Sequence, residues 1–358
     1  MTRLEKMTKV ARELGLDALL LTSEVSMHYA TEYKRFEGIV AVDKEGRGVA
    51  FTDSRYIEDV SNKVIPLGYD VVEPEGSYPT PKTFADYASE MGYKKIGFEN
   101  RSMNCETFDI YKSLVDGELL PIGSAIEDVR QIKEEKELVF LKEAQRITEE
   151  SLKLIIPEIK VGAFEDELLA KHRYNMAMLG SEGFADGMIF VSGKKTSLPH
   201  GQASHKAIEN GDFVTVDFGA EVAGYNADMT RTFGVGDISQ KQRDIYAIVL
   251  EAQLAGIEAL KVGERGCDVD AKARSIIEKY GYGKYFGHGL GHAIGLEIHE
   301  NPRATRGYEG RFVAGNVVTV EPGIYIPNEF GVRIEDMFYL TEKETINLTH
   351  MPKELVIL

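Results

Sequence analysis

A nine-residue pattern occurs twice in this chain and constrains its fold more than any other feature. Gly211-Asp212-Phe213-Val214-Thr215-Val216-Asp217-Phe218-Gly219 matches Gly315-Asn316-Val317-Val318-Thr319-Val320-Glu321-Pro322-Gly323. The shared pattern is glycine, a variable residue, an apolar residue, Val-Thr-Val, a carboxylate, a variable residue and glycine. Each copy reads as a strand of period two, so Thr215 and Asp217 share one face, as do Thr319 and Glu321. A carboxylate ending an apolar strand is costly to bury unless it is paired or ligates a metal. A second acid follows each copy, Asp228 after the first and Glu335 after the second. Two similar half-domains would bring these four acids together at a pseudo-twofold axis. The competing reading, a chance match of two buried strands, leaves the strand-end carboxylates unexplained.

Four converging acids without cations would repel one another and raise each other's pKa values. No basic residue adjoins Asp217 or Glu321, and Arg333 alone is too little to neutralise the group. Divalent metals resolve the conflict. An imidazole ligand is expected from Gly287-His288-Gly289-Leu290-Gly291-His292-Ala293-Ile294-Gly295-Leu296-Glu297-Ile298-His299-Glu300, where three of the eight histidines fall. The interspersed glycines permit close backbone approach. This is not an HExxH helix, because no second histidine follows His299-Glu300 at that spacing. Oxygen ligands with one imidazole suit Mn²⁺, Co²⁺, Fe²⁺ or Zn²⁺. His200 is a further candidate, whereas His28, His172, His205 and His350 read as surface or packing residues.

The rest of the chain reads as α/β. Leu4, Met7, Ala11 and Leu14 fall at helical spacing, and Ala18 to Leu21 is a short strand-like run. Gly38 to Val42 and Val49 to Phe51 flank a turn and predict a hairpin, with further strands at Val71-Val72 and Ile96 to Phe98 and a helix over Thr83 to Met91. A boundary falls between Ala125 and Lys136, giving domains 1–126 and 127–358. Beyond it Leu138, Leu141, Ala144, Thr148, Leu152 and Ile155 trace one face of a long helix ended by Pro157, whose charged opposite face is expected in solvent. Further helices are expected over Phe164 to Leu179, Gln240 to Leu260 and Asp268 to Tyr280.

A length of 358 residues suits about two domains. A net charge of −16 without a Lys/Arg cluster argues against nucleic acid. No apolar run reaches the ~20 residues of a membrane span, and the N-terminus lacks the apolar core of a secretory signal. Cys105 and Cys267 show no CxxC spacing and are expected to be reduced in a cytoplasmic protein.

The second domain resembles the pita-bread metallopeptidases, specifically the Xaa-Pro branch of prolidase and aminopeptidase P. The resemblance is carried in order by Leu198-Pro199-His200-Gly201, Val216-Asp217-Phe218-Gly219, Asn226-Ala227-Asp228-Met229-Thr230-Arg231-Thr232, His288 through Glu300, Val320-Glu321-Pro322-Gly323 and Gly331-Val332-Arg333-Ile334-Glu335-Asp336. The N-terminal third resembles the family's creatinase-like domain in layout. The fold implied is a small creatinase-like α/β domain followed by a pseudo-twofold pita-bread catalytic domain of α+β type.

The resemblance implies that Asp217 and Asp228 bind one metal and His292 and Glu321 another, with Asp228 and Glu335 bridging. Mn²⁺ or Co²⁺ is expected first. His288 would line the substrate pocket, His200 and His299 would face the scissile peptide, Arg333 would orient the carboxylates, and Thr230 would support the bridge. Two-metal hydrolysis of an Xaa-Pro bond is implied, with Glu321 moving the proton and His299 or His200 stabilising the oxyanion. Arg303 matches a position where some prolidases carry an arginine for a dipeptide's carboxylate; otherwise it is a solvated loop residue. Aminopeptidase P, acting on longer peptides, remains open, as does a non-catalytic pita-bread peptide-binding module. Methionine aminopeptidase is disfavoured by the N-terminal third, and creatinase by the intact ligand set. Relatives are commonly homodimers, and Tyr33 to Glu37 is either a contact with the partner's site or a surface turn.

Overall fold

The structure, a computed structural model, describes residues 1–74, 78–184 and 187–358. The chain divides into two units, Met1–Arg130 and Gln131–Leu358.

The first unit is built on a six-stranded sheet in the order Tyr69–Val72, Gly48–Phe51, Ile39–Asp43, Ala18–Leu21, Lys95–Phe98, Glu118–Pro121. The expected hairpin forms with Val40 opposite Ala50. Ala18–Leu21 is buried at every position, which explains a continuous apolar run in place of alternation. Parallel neighbours need crossovers; helix Ile57–Val64 links Gly48–Phe51 to Tyr69–Val72, and helix Cys105–Leu114 links Lys95–Phe98 to Glu118–Pro121. The first helix, Arg3–Glu13, starts on a capping box between Thr2 and Glu5. Helix Cys105–Leu114 and strand Glu118–Pro121 were not expected. Asn104 is the missed signal for that helix, since its side chain caps the Thr107 amide at 2.8 Å.

In the second unit the internal repeat becomes architecture. Each half has a helix pair, Glu135–Ile155 with Glu165–Met178 and Gln240–Ala259 with Gly266–Lys279. Each pair is followed by three strands in the same order. Ile189–Ser192, Phe213–Phe218 and Met229–Gly234 form one set, with the repeat strand in the middle. Gly291–Ala293, Val317–Val320 and Asp336–Leu340 form the other, extended by Glu300–Ala304 and Thr345–Asn347. The middle strands pair antiparallel with the strands that follow them, with Asp217 opposite Thr230 and Val320 opposite Asp336.

Leu141, Ala144, Thr148, Leu152 and Ile155 are buried on the expected face of helix Glu135–Ile155. Its charged side departs from the expectation, because Glu137 and Glu149 are buried as well. Each has a partner that makes burial tolerable: Glu137 accepts from the Tyr225 hydroxyl at 2.9 Å and Glu149 from the His350 amide at 2.7 Å. Among the described residues no helix is long and apolar enough to cross a membrane.

Candidate metal centre and active site

The repeat strands deliver their acids to one place. Asp217 lies near the end of Phe213–Phe218 and Glu321 directly follows Val317–Val320. Asp228 and Glu335 each stand one residue before a return strand, Met229–Gly234 and Asp336–Leu340. Two glycines allow this convergence. A Cβ on Gly219 would lie 1.6 Å from the Ala227 carbonyl oxygen, beside Asp228, and one on Gly291 would lie 2.0 Å from that of Thr319. The second contact sets the Thr319 hydroxyl against the His292 amide at 3.1 Å.

The distances define a compact cluster. His292 Nε2 is 3.3 Å from Glu321 Oε1 and 3.6 Å from Asp228 Oδ2. Ligand atoms of Asp228, His292 and Glu335 lie within 4.8 Å of one another. His292 Nδ1 faces the Ala293 carbonyl at 3.1 Å, so that nitrogen donates and Nε2 is turned toward the acids. Arg333 donates to Asp217 Oδ2 at 2.5 Å, to the Thr230 hydroxyl at 3.0 Å and to the Tyr325 hydroxyl at 2.8 Å. Thr230 in turn donates to Glu335 Oε2 at 2.7 Å. Arg333 thus meets Asp217, in the orienting place the resemblance implies for it. Arg333 is distant in sequence and arrives on the hairpin Gly323–Ile326/Phe330–Arg333.

Electrostatics divide the acids. Burial, with the charges of Asp217 and Glu321, pushes the Asp228 carboxyl well above the usual range. Burial, with Asp228, Glu321 and Asp217, does the same to Glu335. Burial also opposes ionisation of Glu321, but its hydrogen bond to His292 and the charges of His292, His288 and Arg333 outweigh that and hold it low. Burial works against the Arg333 charge, yet Tyr325, Asp217 and Glu321 keep the guanidinium protonated.

The donor set fits divalent cations. Glu335 is 1% exposed, and its Oε1 finds no hydrogen-bond partner among the described residues. A buried carboxylate oxygen without a donor, beside three further carboxylates and an imidazole nitrogen, is a cation site by its chemistry.

These groups open onto a cavity of about 1310 Å³. All five expected ligands line it, as do His200, His288, His299, Arg303 and Arg333. Thr230 is fully buried behind them. His299 packs edge-on to His292 with ring centroids 4.4 Å apart, and burial followed by the His292 charge lowers its pKa. His172 is buried against Phe218, while His205 stacks on Phe164 at the surface. Both cysteines are free. The sequence reading missed Tyr325, whose hydroxyl joins His288 Nε2 at 2.9 Å to Arg333. Its signal lay in Ile324-Tyr325, directly after the second repeat.

Comparison with known proteins agrees with this centre. Residues 140–342 match metallopeptidase family M24, and residues 3–132 match the creatinase/prolidase N-terminal domain. The chain belongs to the M24 family and is a metal-dependent, prolidase-like peptidase. It is 38% identical to the Xaa-Pro dipeptidase of Pyrococcus furiosus over 358 residues, which cover 99% of each chain. The Xaa-Pro dipeptidase structure from Bacillus anthracis superposes with a TM-score of 0.95 at 40% identity, covering 99% of each chain. The X-Pro aminopeptidase from Thermotoga maritima superposes with a TM-score of 0.92 at 32% identity, covering 100% of each chain.

Proposed function

We propose that this chain is an Xaa-Pro dipeptidase that hydrolyses the bond between an N-terminal residue and proline with two divalent metal ions. The observation that carries this reading is the union of four carboxylates, one imidazole and Arg303 on the walls of a single cavity. Asp217 and Asp228 would hold one ion and His292 and Glu321 the other, with Asp228 and Glu335 shared between them. Mn²⁺ or Co²⁺ comes first, and Zn²⁺ and Fe²⁺ suit the same donors. When bound, such ions acidify water and polarise the scissile carbonyl.

The remaining work falls to side chains. Glu321, held ionised, accepts the proton of the attacking water and passes it to the departing proline nitrogen. His299, kept neutral near pH 7 by its lowered pKa, donates a hydrogen bond to the tetrahedral oxygen, a role His200 shares. His288 lines the proline side of the pocket, and Arg333 holds Asp217 in place through its charge. The substrate's free amine is drawn to the acidic cluster. Arg303 grips the dipeptide's carboxylate through its two-pronged donor face.

The cavity exceeds the ~300–1,000 Å³ of ordinary small-ligand pockets, which favours aminopeptidase P action on longer peptides as the second reading. Rates on Ala-Pro and Ala-Pro-Pro, with chelator and after reconstitution with each metal, decide between them. Turnover of Ala-Pro-Pro alone would reject the dipeptidase reading. Arg303→Ala should raise KM for Ala-Pro far more than for Ala-Pro-Pro; equal effects remove this role. A homodimer with Tyr33 to Glu37 at the partner's site, the domain division at 126/127 and a reducing, cytoplasmic compartment suggested by two unpaired cysteines complete the proposal.

A further inference from the structure

Away from the ligands, helix Gly266–Lys279 buries a charge pair. Asp270 is 1% and Arg274 4% exposed. Arg274 Nε lies 2.7 Å from Asp270 Oδ2 and its NH2 2.8 Å from Oδ1, a two-pronged contact. The other contacts all go to one short stretch of backbone. Arg274 NH1 donates to the Phe286 carbonyl at 2.8 Å, NH2 donates to the His288 carbonyl at 2.7 Å, and the Leu290 amide donates to Asp270 Oδ1 at 3.0 Å. The guanidinium also lies 4.0 Å from the centre of the Phe286 ring. Burying such a pair costs free energy unless its remaining hydrogen-bonding capacity is filled. Here the backbone at alternate residues 286, 288 and 290 fills it.

This stretch carries His288, and its ring contacts fix a tautomer. Nδ1 faces the Gly289 carbonyl at 2.7 Å. A carbonyl oxygen only accepts, so Nδ1 carries the proton. In the neutral ring Nε2 is then an acceptor, and the Tyr325 hydroxyl at 2.9 Å donates to it. The Tyr325 oxygen receives Arg333 NH1 at 2.8 Å. The chain of donation runs from Arg333 through Tyr325 and His288 to the Gly289 carbonyl. Burial favours the neutral ring by lowering its pKa.

We propose that Asp270 and Arg274 are positioning residues that hold the Phe286–Leu290 backbone so that His288 is presented as a neutral, Nδ1-protonated imidazole locked to Tyr325. Both ring nitrogens are then engaged. His288 offers the substrate a ring face and no proton, which leaves proton donation to His299 and His200.

The test uses ¹⁵N-histidine-labelled, Zn²⁺-loaded full-length protein, with the His288 ring signals assigned by their loss in His288→Gln. The wild type should show a protonated Nδ1 and a bare Nε2. Arg274→Met should mix or reverse that tautomer and lower kcat/KM on Ala-Pro roughly 100-fold, the scale of a ~1 Å misplacement, with Zn²⁺ stoichiometry unchanged. Arg274→Lys, which lacks the planar fork, should fall nearer to Arg274→Met than to the wild type. The proposal is overturned by an Nε2-protonated His288 in the wild type. It is equally overturned by Arg274 variants that lose thermal stability but keep the tautomer and the kinetics. If Arg274→Met fails to fold, Arg274→Lys and the wild-type tautomer decide. The kinetic arm rests on the Xaa-Pro reading; absent Ala-Pro turnover rejects that reading alone, because the tautomer is read without substrate.

Discussion

Thr230→Val is the sharpest probe of the metal centre. The Thr230 hydroxyl, fully buried, donates to Glu335 Oε2 at 2.7 Å and accepts from Arg333 Nε at 3.0 Å. Valine keeps the shape and removes both bonds. Glu335, whose Oε1 already lacks a partner, then loses the donor that favours its ionised form. A hydrogen bond to a charged group contributes about 1.5–3 kcal/mol, so metal affinity should fall roughly 10- to 150-fold, in line with other outer ligand supports. The sign with pH follows from proton competition. Glu335 already binds its proton more tightly than an ordinary carboxyl, and the variant binds it more tightly still. The affinity gap should therefore narrow as pH rises and deprotonates both forms. The assay is competition between the protein and a chelating indicator for Mn²⁺ across neutral to alkaline pH. Thr230→Ser, which restores the hydroxyl, should recover most of the affinity. Wild-type affinity in Thr230→Val, or equal loss in the serine variant, would refute the reasoning.

Other perturbations separate the site's parts. Asp217→Asn removes a donor oxygen and the charge facing Arg333, and should abolish metal uptake and turnover by metal analysis and Ala-Pro assay; full metal content with unchanged turnover removes the assignment. Tyr325→Phe leaves the buried Arg333 NH1 and His288 Nε2 without their shared hydroxyl, and should lower kcat/KM about 10- to 100-fold at unchanged metal content. His172 has its pKa lowered by burial from 6.5 to about 4, so the unfolded chain binds its proton more readily between those values and stability falls as pH drops through them. Over that whole interval the loss is roughly 3 kcal/mol, and urea unfolding of His172→Leu should show a correspondingly flatter acid slope; an unchanged slope contradicts the burial argument.

What was legible in the sequence was whatever local rules force onto one stretch of chain. A strand ending in a carboxylate announces itself by period and composition, so Asp217 and Glu321 were found, and the acids after them followed from the repeat. The histidines between His288 and His299 stood out through their glycine-rich setting. Helix Glu135–Ile155 was visible from its apolar spacing. Its buried Glu137 and Glu149 were not, because the partners that make them tolerable, Tyr225 and the His350 amide, lie far away in sequence. Asp270 and Arg274 were hidden for a related reason. At i,i+4 on a helix they read as an ordinary surface ion pair, and only tertiary structure shows the backbone they hold.

The unequal spacing of the repeat accounts for an electrostatic asymmetry that the repeat alone does not show. Asp217 and Asp228 are 11 residues apart, whereas Glu321 and Glu335 are 14 apart. Both intervals hold a small hairpin, Ala220–Val222 with Tyr225–Asn226 in the first half and Gly323–Ile326 with Phe330–Arg333 in the second. The longer hairpin carries Tyr325 and Arg333, and Arg333 reaches back to Asp217 and Thr230 in the first half. The second half in turn contributes His292 from its strand Gly291–Ala293, where the corresponding first-half strand, Ile189–Ser192, is apolar and buried. A symmetric frame of four acids thus becomes a directional site. One side pairs its carboxylate with a fixed guanidinium, and the other pairs its carboxylate with an imidazole. The extra residues in the second interval are the sequence's record of that difference. They imply that shortening the Gly323–Arg333 hairpin to the length of its counterpart would leave the acids in place and strip Asp217 of its cation.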